Sequence, residues 1–436
     1  MARRLPIVVA AALCALGTAA VARGDAPPEW WLHAIDADTT TAPGPGVPIV
    51  IIDGAVDSTQ PELVGRPNTT YLDAQTLDGP DDYHATAVAS LAAAPGSNGF
   101  SGVYPQAALE IWDAGRGADG IDAGSAAQGI AAAAKHCPAV INLSFGGTEP
   151  SPQLQAAILR AVRAGCLIVA AAGNSGLAGD PQTYPAAYTH VLTVGATDAQ
   201  GSPLPFSSSG PWVDVAAPGS DMSAPVPVSH DPSGFSSGLA GTSFAAPLVS
   251  AAAAWIWTAR PKLTASQVAA LLRASAHPTG SQTFDAKTGY GVIDVAAALA
   301  LPTPPPDPDE PNDDIPQVKP GLFFPNGQPP LTTPTKPSTR IAGTLLQADD
   351  PVDVYRVWVP AHRVVRISLT ARGSAVARLW GPKTYTVDEL PTLRKRDLMG
   401  SSITGGNVGQ YAYAEVTLTQ QTLGATYVLS VREAKR

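Results

Sequence analysis

The sequence predicts an α/β unit with a mainly parallel sheet and helices on both faces, followed by a small antiparallel β-sandwich domain. Three observations predict it. From Trp30 to Leu301 short β-branched runs alternate with alanine-rich stretches, the strand–helix alternation of a covered parallel sheet. Thirteen prolines then crowd residues 302–337. Beyond them apolar residues recur at every second position, as in strands with one buried face.

Each element has its own reason. Residues 47–52 follow Gly46 as an apolar run, which suits a strand buried on both faces. The spans 108–114, 140–144, 167–172 and 191–196 read the same way. Alanine-rich 85–94 and 123–134 predict helices, as do 153–165 and 264–276. Thr264 with Gln267 three residues on forms a capping box for the last of these. Residues 244–257 are too apolar for a surface helix and too short to cross a bilayer, so they predict a helix buried on all sides. Residues 302–339 predict an extended, semi-rigid linker, because proline donates no backbone hydrogen bond and resists helix. In 340–436, Val365, Ile367 and Leu369 alternate with polar neighbours, as do Ala412, Ala414, Val416 and Leu418.

A chain of 436 residues suggests two or three domains. Its charge is −9, two more negative once Arg3 and Arg4 leave with the N-terminus, which argues against a nucleic-acid partner. Residues 1–22 have the form of a secretory signal: Arg3 and Arg4, an apolar core over 5–16, then Ala20-Val21-Ala22. Cleavage after Ala22 is expected, with an uncleaved anchor as the other reading. The mature chain is then secreted, with no stable membrane insertion. Two cysteines remain, Cys137 and Cys166, each just ahead of a predicted strand. If those strands are parallel neighbours, the pair lies near bridging distance, and an exported protein would join them. Two free buried thiols are the alternative.

Four polar residues stand where chemistry is done. Asp53 follows the first buried strand, and ligands bind at the carboxyl ends of such strands. His84 opens an alanine-rich helix. Asn174 follows the strand over 167–172. Ser243 precedes the buried helix, where unpaired N–H groups favour a developing negative charge. Each has a bland reading: a turn Asp, an incidental His, a turn Asn and a serine N-cap. Together they fall in the chain order Asp, His, Ser, one of the orders in which the serine triad occurs.

With these residues the chain resembles the subtilisin-like serine proteases (subtilases, peptidase family S8). The resemblance runs from Glu29 to Leu301. It rests on Asp53-Gly54-Ala55-Val56-Asp57, on the segment from His84 to Ser90, on Asn142-Leu143-Ser144-Phe145-Gly146-Gly147, on Ala172-Gly173-Asn174-Ser175, and on Gly241-Thr242-Ser243-Phe244-Ala245-Ala246-Pro247. It implies a subtilisin-like sheet and a serine endopeptidase. Ser243 would be the nucleophile, His84 the general base, Asp53 its orienting carboxylate and Asn174 an oxyanion donor. Ser144, Phe145, Gly146 and Gly147, with Gly120, Ile121 and Asp122, would flank the substrate backbone as added strands. No cofactor is needed for this chemistry. Relatives often hold structural calcium, but no dense carboxylate loop is visible here and no metal ligand is assigned. Protein or peptide substrates and a monomer are expected. After the linker, Asp309-Glu310-Pro311-Asn312-Asp313-Asp314 and Asp353-Val354-Tyr355 resemble the bacterial prepeptidase C-terminal (PPC) domain.

The motifs also depart from the family. Gly54 stands where a hydroxyl residue supports the aspartate. Ala85, Ala87 and Ser90 replace two glycines and a second histidine. Small displacements of His84 would cost rate, so the alternative is a catalytically impaired, peptide-binding or scaffold protein on the same fold. The stretch between Ala22 and Asp53 is too short for a folding prodomain. Segments rich in Ala and Gly predict a broad or apolar preference before the cut. Asp180 at the pocket floor would favour basic residues instead, with Thr183 as the competing occupant.

Overall fold

The computed structural model describes residues 29–77, 83–97, 99–117, 120–307, 309–347, 349–387, 398–419 and 423–434. The expected signal segment lies outside the described residues. The chain divides into two compact units, 1–304 and 305–436.

The first unit is built on seven parallel strands: β1 (Ile49–Asp53), β2 (Thr69–Tyr71), β3 (Leu109–Asp113), β4 (Val140–Leu143), β5 (Leu167–Ala171), β6 (Val191–Thr197) and β7 (Val215–Pro218). Their order is β2-β3-β1-β4-β5-β6-β7. Alternate residues of one strand serve opposite layers. Ile49 and Ile51 pack with the helices α2 (Tyr83–Ala93) and α5 (Thr242–Ala259), whereas Val50 and Ile52 pack with α3 (Ala123–Ala133) and α4 (Pro152–Arg163). This is why the strand reads as an unbroken apolar run.

Shorter elements complete the unit: α1 (Trp30–Ala34), the hairpin β8 (Met222–Pro225) and β9 (Phe235–Leu239), α6 (Ala265–Ser275) and α7 (Val295–Ala300). The capping box of Thr264 and Gln267 is present at α6. Cys137 and Cys166 form a disulfide, with Cα atoms 5.1 Å apart. The register explains the pairing, since Val140 lies opposite Leu167 and a cysteine stands just upstream of each. Among the described residues no helix is long and apolar enough to cross a membrane.

The second unit holds two four-stranded antiparallel sheets. One contains β10 (Thr339–Leu346), β17 (Gly424–Ala434), β12 (Val364–Arg372) and β15 (Ser402–Thr404). The other contains β11 (Val352–Val359), β16 (Gln410–Leu418), β13 (Ala375–Trp380) and β14 (Leu398–Gly400). Leu345, Val365, Ile367 and Leu429 of the first meet Tyr355, Val357, Leu379 and Ala414 of the second in one core.

The segment expected as an extended, semi-rigid linker is described with the second unit. Residues from 305 onward belong to the second unit. Its short helix α8 (Ile315–Val318) buries Ile315 and Val318 with Val354, Trp380 and Tyr413. Prolines donate nothing, but their neighbours bond along β11. Val354 N donates to Asn312 O at 2.8 Å, and Leu331 N to Arg356 O at 2.8 Å. A count of prolines does not register these apolar contacts.

Candidate active site

Four strands deliver polar groups to one edge of the parallel sheet. Asp53 ends β1, Asp113 ends β3, Ser144 follows β4, and Asn174 lies just beyond β5. Helix α5 starts at this edge. Its N-cap is Gly241, so Ser243 sits inside the first turn and its side chain is not the cap. Up to Trp257, Ser243 is the one residue of α5 that is not buried. The helix is otherwise core over this span, and Ser243 is half-buried.

His84 enters from the start of α2. Its Nδ1 lies 2.9 Å from Asp53 Oδ1, with the Asp53 side chain only 3% exposed. The His84 ring packs against Phe244, with centroids 5.6 Å apart, which brings it beside the start of α5. Gly54 has no hydroxyl, but its backbone N–H donates to Asp53 Oδ1 at 2.8 Å. The buried Asp53 Oδ2 has no hydrogen-bond partner. The departure in the aspartate motif therefore leaves one carboxylate oxygen held twice and the other unsupported.

Ser243 and Ser144 clasp each other. Ser243 Oγ donates to Ser144 O at 2.9 Å, and Ser144 Oγ donates to Ser243 O at 2.8 Å. The second bond has a cause in the sequence. Pro247 stands four residues after Ser243 and has no N–H, so the Ser243 carbonyl lacks its helical partner. Ser144 supplies the missing donor. Asn142 Nδ2 in turn donates to Ser144 Oγ at 2.9 Å, and Ser250 Oγ to Asn142 Oδ1 at 2.9 Å.

Asn174 is oriented through its oxygen. Oδ1 accepts from Thr242 N and from Thr242 Oγ1, both at 2.9 Å. The side-chain NH₂ is thereby left as the donor of that amide, next to Gly241, whose Cβ position would lie 3.4 Å from Nδ2. Asn142, Thr242 and Ser250 were not singled out from the sequence; only the Thr inside the serine motif offered a signal.

The predicted substrate segments are placed unequally. Gly147 bonds to Tyr184 in both directions, at 2.9 and 2.8 Å. Phe145 is buried in the core at 3% exposure. Ile121 forms a bridge with Gly115 and is also buried, and Gly120 has φ +76° in the turn before it. Asp122 caps α3 by accepting from Ser125 N at 2.7 Å, so its carboxylate serves the helix. Thr183 is buried between two glycine segments. A Cβ on Gly146 would come within 2.6 Å of Thr183 Cγ2, and one on Gly173 within 2.7 Å of Oγ1. Asp180 is engaged elsewhere: its carboxylate accepts from Ser209 N at 2.9 Å and from the Ser209 hydroxyl.

A buried carboxylate behind a histidine, a serine at a helix start and an oriented amide form a set able to do acyl transfer. The Subtilase family matches residues 44–291.

The chain belongs to the subtilase family.

It is 35% identical over 262 residues to a subtilisin of Bacillus pumilus, covering 58% of this chain and 91% of that one. The solved MycP1 from Mycobacterium smegmatis is 29% identical with a TM-score of 0.52, covering 65% of this chain and 88% of its own. MycP3, a protease from the type VII (ESX-3) secretion system, is 30% identical with a TM-score of 0.51, covering 64% and 90%. This subtilase is a serine-type endopeptidase that acts on protein substrates without a catalytic cofactor. The family match, residues 44–291, lies within the first unit.

Proposed function

We propose that the chain is an exported endopeptidase working through Asp53, His84 and Ser243. The observation that carries this reading is the buried Asp53–His84 hydrogen bond beside the start of α5. Ser243 Oγ attacks a peptide carbonyl while His84 takes its proton. His84 then returns the proton to the leaving amine, and Asp53 holds the ring tautomer and stabilises the imidazolium. The new oxyanion is met by Asn174 NH₂ and by the Ser243 N–H, which has no intrahelical acceptor in the first turn. Before attack, the Ser243 hydroxyl leaves the Ser144 carbonyl. Ser144–Gly147 and the 120–122 segment hold the substrate backbone. Export is supported by the signal-like N-terminus and by the disulfide.

Thr183 between Gly146 and Gly173 favours a small, uncharged side chain before the cut. Digestion of a peptide library tests this, and Thr183→Gly is expected to shift the preference to larger apolar residues. A basic preference would restore Asp180 to the pocket. A fluorophosphonate probe tests the nucleophile. Folded protein is expected to label at Ser243, and absence of label beside a reactive control protease would leave the impaired, peptide-binding reading.

A further inference from the structure

His84 is the second residue of α2. It therefore sits in a first turn, whose backbone N–H groups have no partner within the helix, and helix ends open more readily than helix middles. From Ala85 to Ala93 every residue of α2 is buried, whereas Tyr83 and His84 are only partly so. Asp53 holds one edge of the His84 ring and Phe244 lies beside it. Both contacts act on the ring, not on the turn that carries it.

That turn is gripped through Tyr83. The Tyr83 ring stacks on His230, with centroids 4.2 Å apart and 21° between the planes. It meets the His84 ring edge-on, with centroids 6.5 Å apart at 77°. His230 is exposed, so the core does not fix it; its loop does. Residues 226–234 join β8 to β9. Val226 N donates to Gly234 O at 2.9 Å, and Gly234 N to Asp231 O at 2.8 Å. His230 N donates to Pro227 O at 2.9 Å, and Asp231 Oδ1 accepts from Ser233 N at 2.8 Å. Buried Gln60 reaches across to donate to Gly234 O at 3.2 Å. Below the loop, Met222, Ala224 and Val226 pack in one core with Ala85, Val88 and Ala89 of α2. The same hairpin leads to the nucleophile. β9 ends at Leu239, just before Gly241, and Gly241 N is tied to Gly219 O at 2.8 Å.

We propose that His230 is a positioning residue: stacked on Tyr83, it clamps the first turn of α2 and so keeps His84 in register with Asp53 and Ser243. The proposal rests on the reading of His84 as the general base. The β8–β9 hairpin then serves both partners of the proton transfer, bracing the turn of His84 at its tip and leading into the helix of Ser243 at its foot. The clamp uses the ring of His230 as a flat face, as aromatic pairs do, and asks nothing of its nitrogens.

The full chain is tested as parent, His230→Ala and His230→Phe, on a fluorogenic peptide taken from the library digest. A misplacement of about 1 Å can cost about 10²-fold in rate, so a partial loss of grip in His230→Ala is expected to lower kcat about tenfold and leave KM within about twofold. His230→Phe keeps the flat ring and is expected to restore kcat to within about twofold of the parent. The second readout needs no activity. In ¹⁵N-histidine-labelled protein carrying Ser243→Ala, so that it cannot digest itself, the His84 Nδ1–H resonance is assigned by its absence from His84→Ala. It is expected to broaden or vanish in His230→Ala and to return in His230→Phe. An unchanged resonance in His230→Ala overturns the clamp. So does a Phe variant as impaired as the Ala variant, which assigns the role to the imidazole nitrogens, and so does a change in KM alone, which makes His230 a substrate contact. If the parent neither cuts the peptide nor labels with the fluorophosphonate, the catalytic reading fails and the resonance alone decides the clamp. Should His230→Ala not fold, Tyr83→Leu removes the same stack from the other side, and full kcat in that variant overturns the proposal.

Discussion

In the first unit the fully buried Asp214 meets Arg273 Nε at 2.9 Å and Thr193 N at 2.7 Å. Buried Arg66 donates to the carbonyls of Ala93, Pro67, Pro105 and Ala107, although burial still lowers its pKa to about 10. Asp53 has His84 and the Gly54 N–H. In the second unit Asp350 and Asp353 are as deeply buried, and burial together with nearby carboxylates raises both well above the usual range. Low-dielectric surroundings amplify both attraction and repulsion. The first unit thus sets its buried Asp214 against a cation of its own, while the second holds Asp350 and Asp353 beside other carboxylates. Catalysis needs the former, because a triad must be held before substrate arrives.

The comparison can be broken at several points. The largest expected effect is on chemistry. Ser243→Ala is expected to lower kcat by about 10⁶ and Asn174→Ala by about 10²–10³, magnitudes that come from subtilisin itself. Ser243→Ala should keep the parent melting temperature, whereas Asn174→Ala, which strips the buried Thr242 N–H of its acceptor, should lower it, as assays beside thermal melts will show. Next is the buried pair. Arg273→Ala leaves Asp214 uncompensated and should cost about 3–5 kcal/mol in chemical denaturation. If the cost is negligible, the first unit does not depend on its own pairing.

A pH series sharpens the other side. The carboxyls of Glu310, Asp350 and Asp353 are raised in the folded state, so the native form binds more protons than the unfolded one. Their stabilising contribution is full below the unfolded carboxyl value of about 4 and is lost as pH rises through the raised folded values. The second unit should therefore melt lower at pH 7 than at pH 4. A melting temperature that climbs across this window would contradict the opposition of the two units.

The smallest effect concerns Gly54. A Cβ there would meet Ala85 Cβ at 4.0 Å, an ordinary contact. Gly54→Ser can place a hydroxyl near the unsupported Asp53 Oδ2. One net hydrogen bond corresponds to a gain of about twofold to tenfold in kcat/KM. An unchanged value would mean that the Gly54 N–H already holds the carboxylate well enough.

Much of the fold was legible because its signals are local. β1 reads as an apolar run since both its faces are covered, and α6 announces itself through Thr264 and Gln267. The short β2, β7, β8 and β9 carry too few residues to show a period. At the site, Ser243 and Asn174 were visible as motifs. The bonds that aim them were not: Thr242 onto Asn174, and Ser144 onto the carbonyl that Pro247 leaves open. The capping of α3 by Asp122 was not legible, because a helix cap and a binding carboxylate look alike in sequence.

The sequence by itself determined the alternation of strands and helices, the order Asp53, His84, Ser243, and the adjacency of each cysteine to a strand. These follow from residue type and short-range spacing, which act within a turn or a strand. Only the tertiary structure decided that Gly54 N–H holds one Asp53 oxygen while the other has no partner, that the proline-rich segment packs onto β11, and that Asp307 and Asp353 converge. Those outcomes depend on groups tens of residues apart being driven together by burial of their apolar neighbours, and no local pattern records that distance.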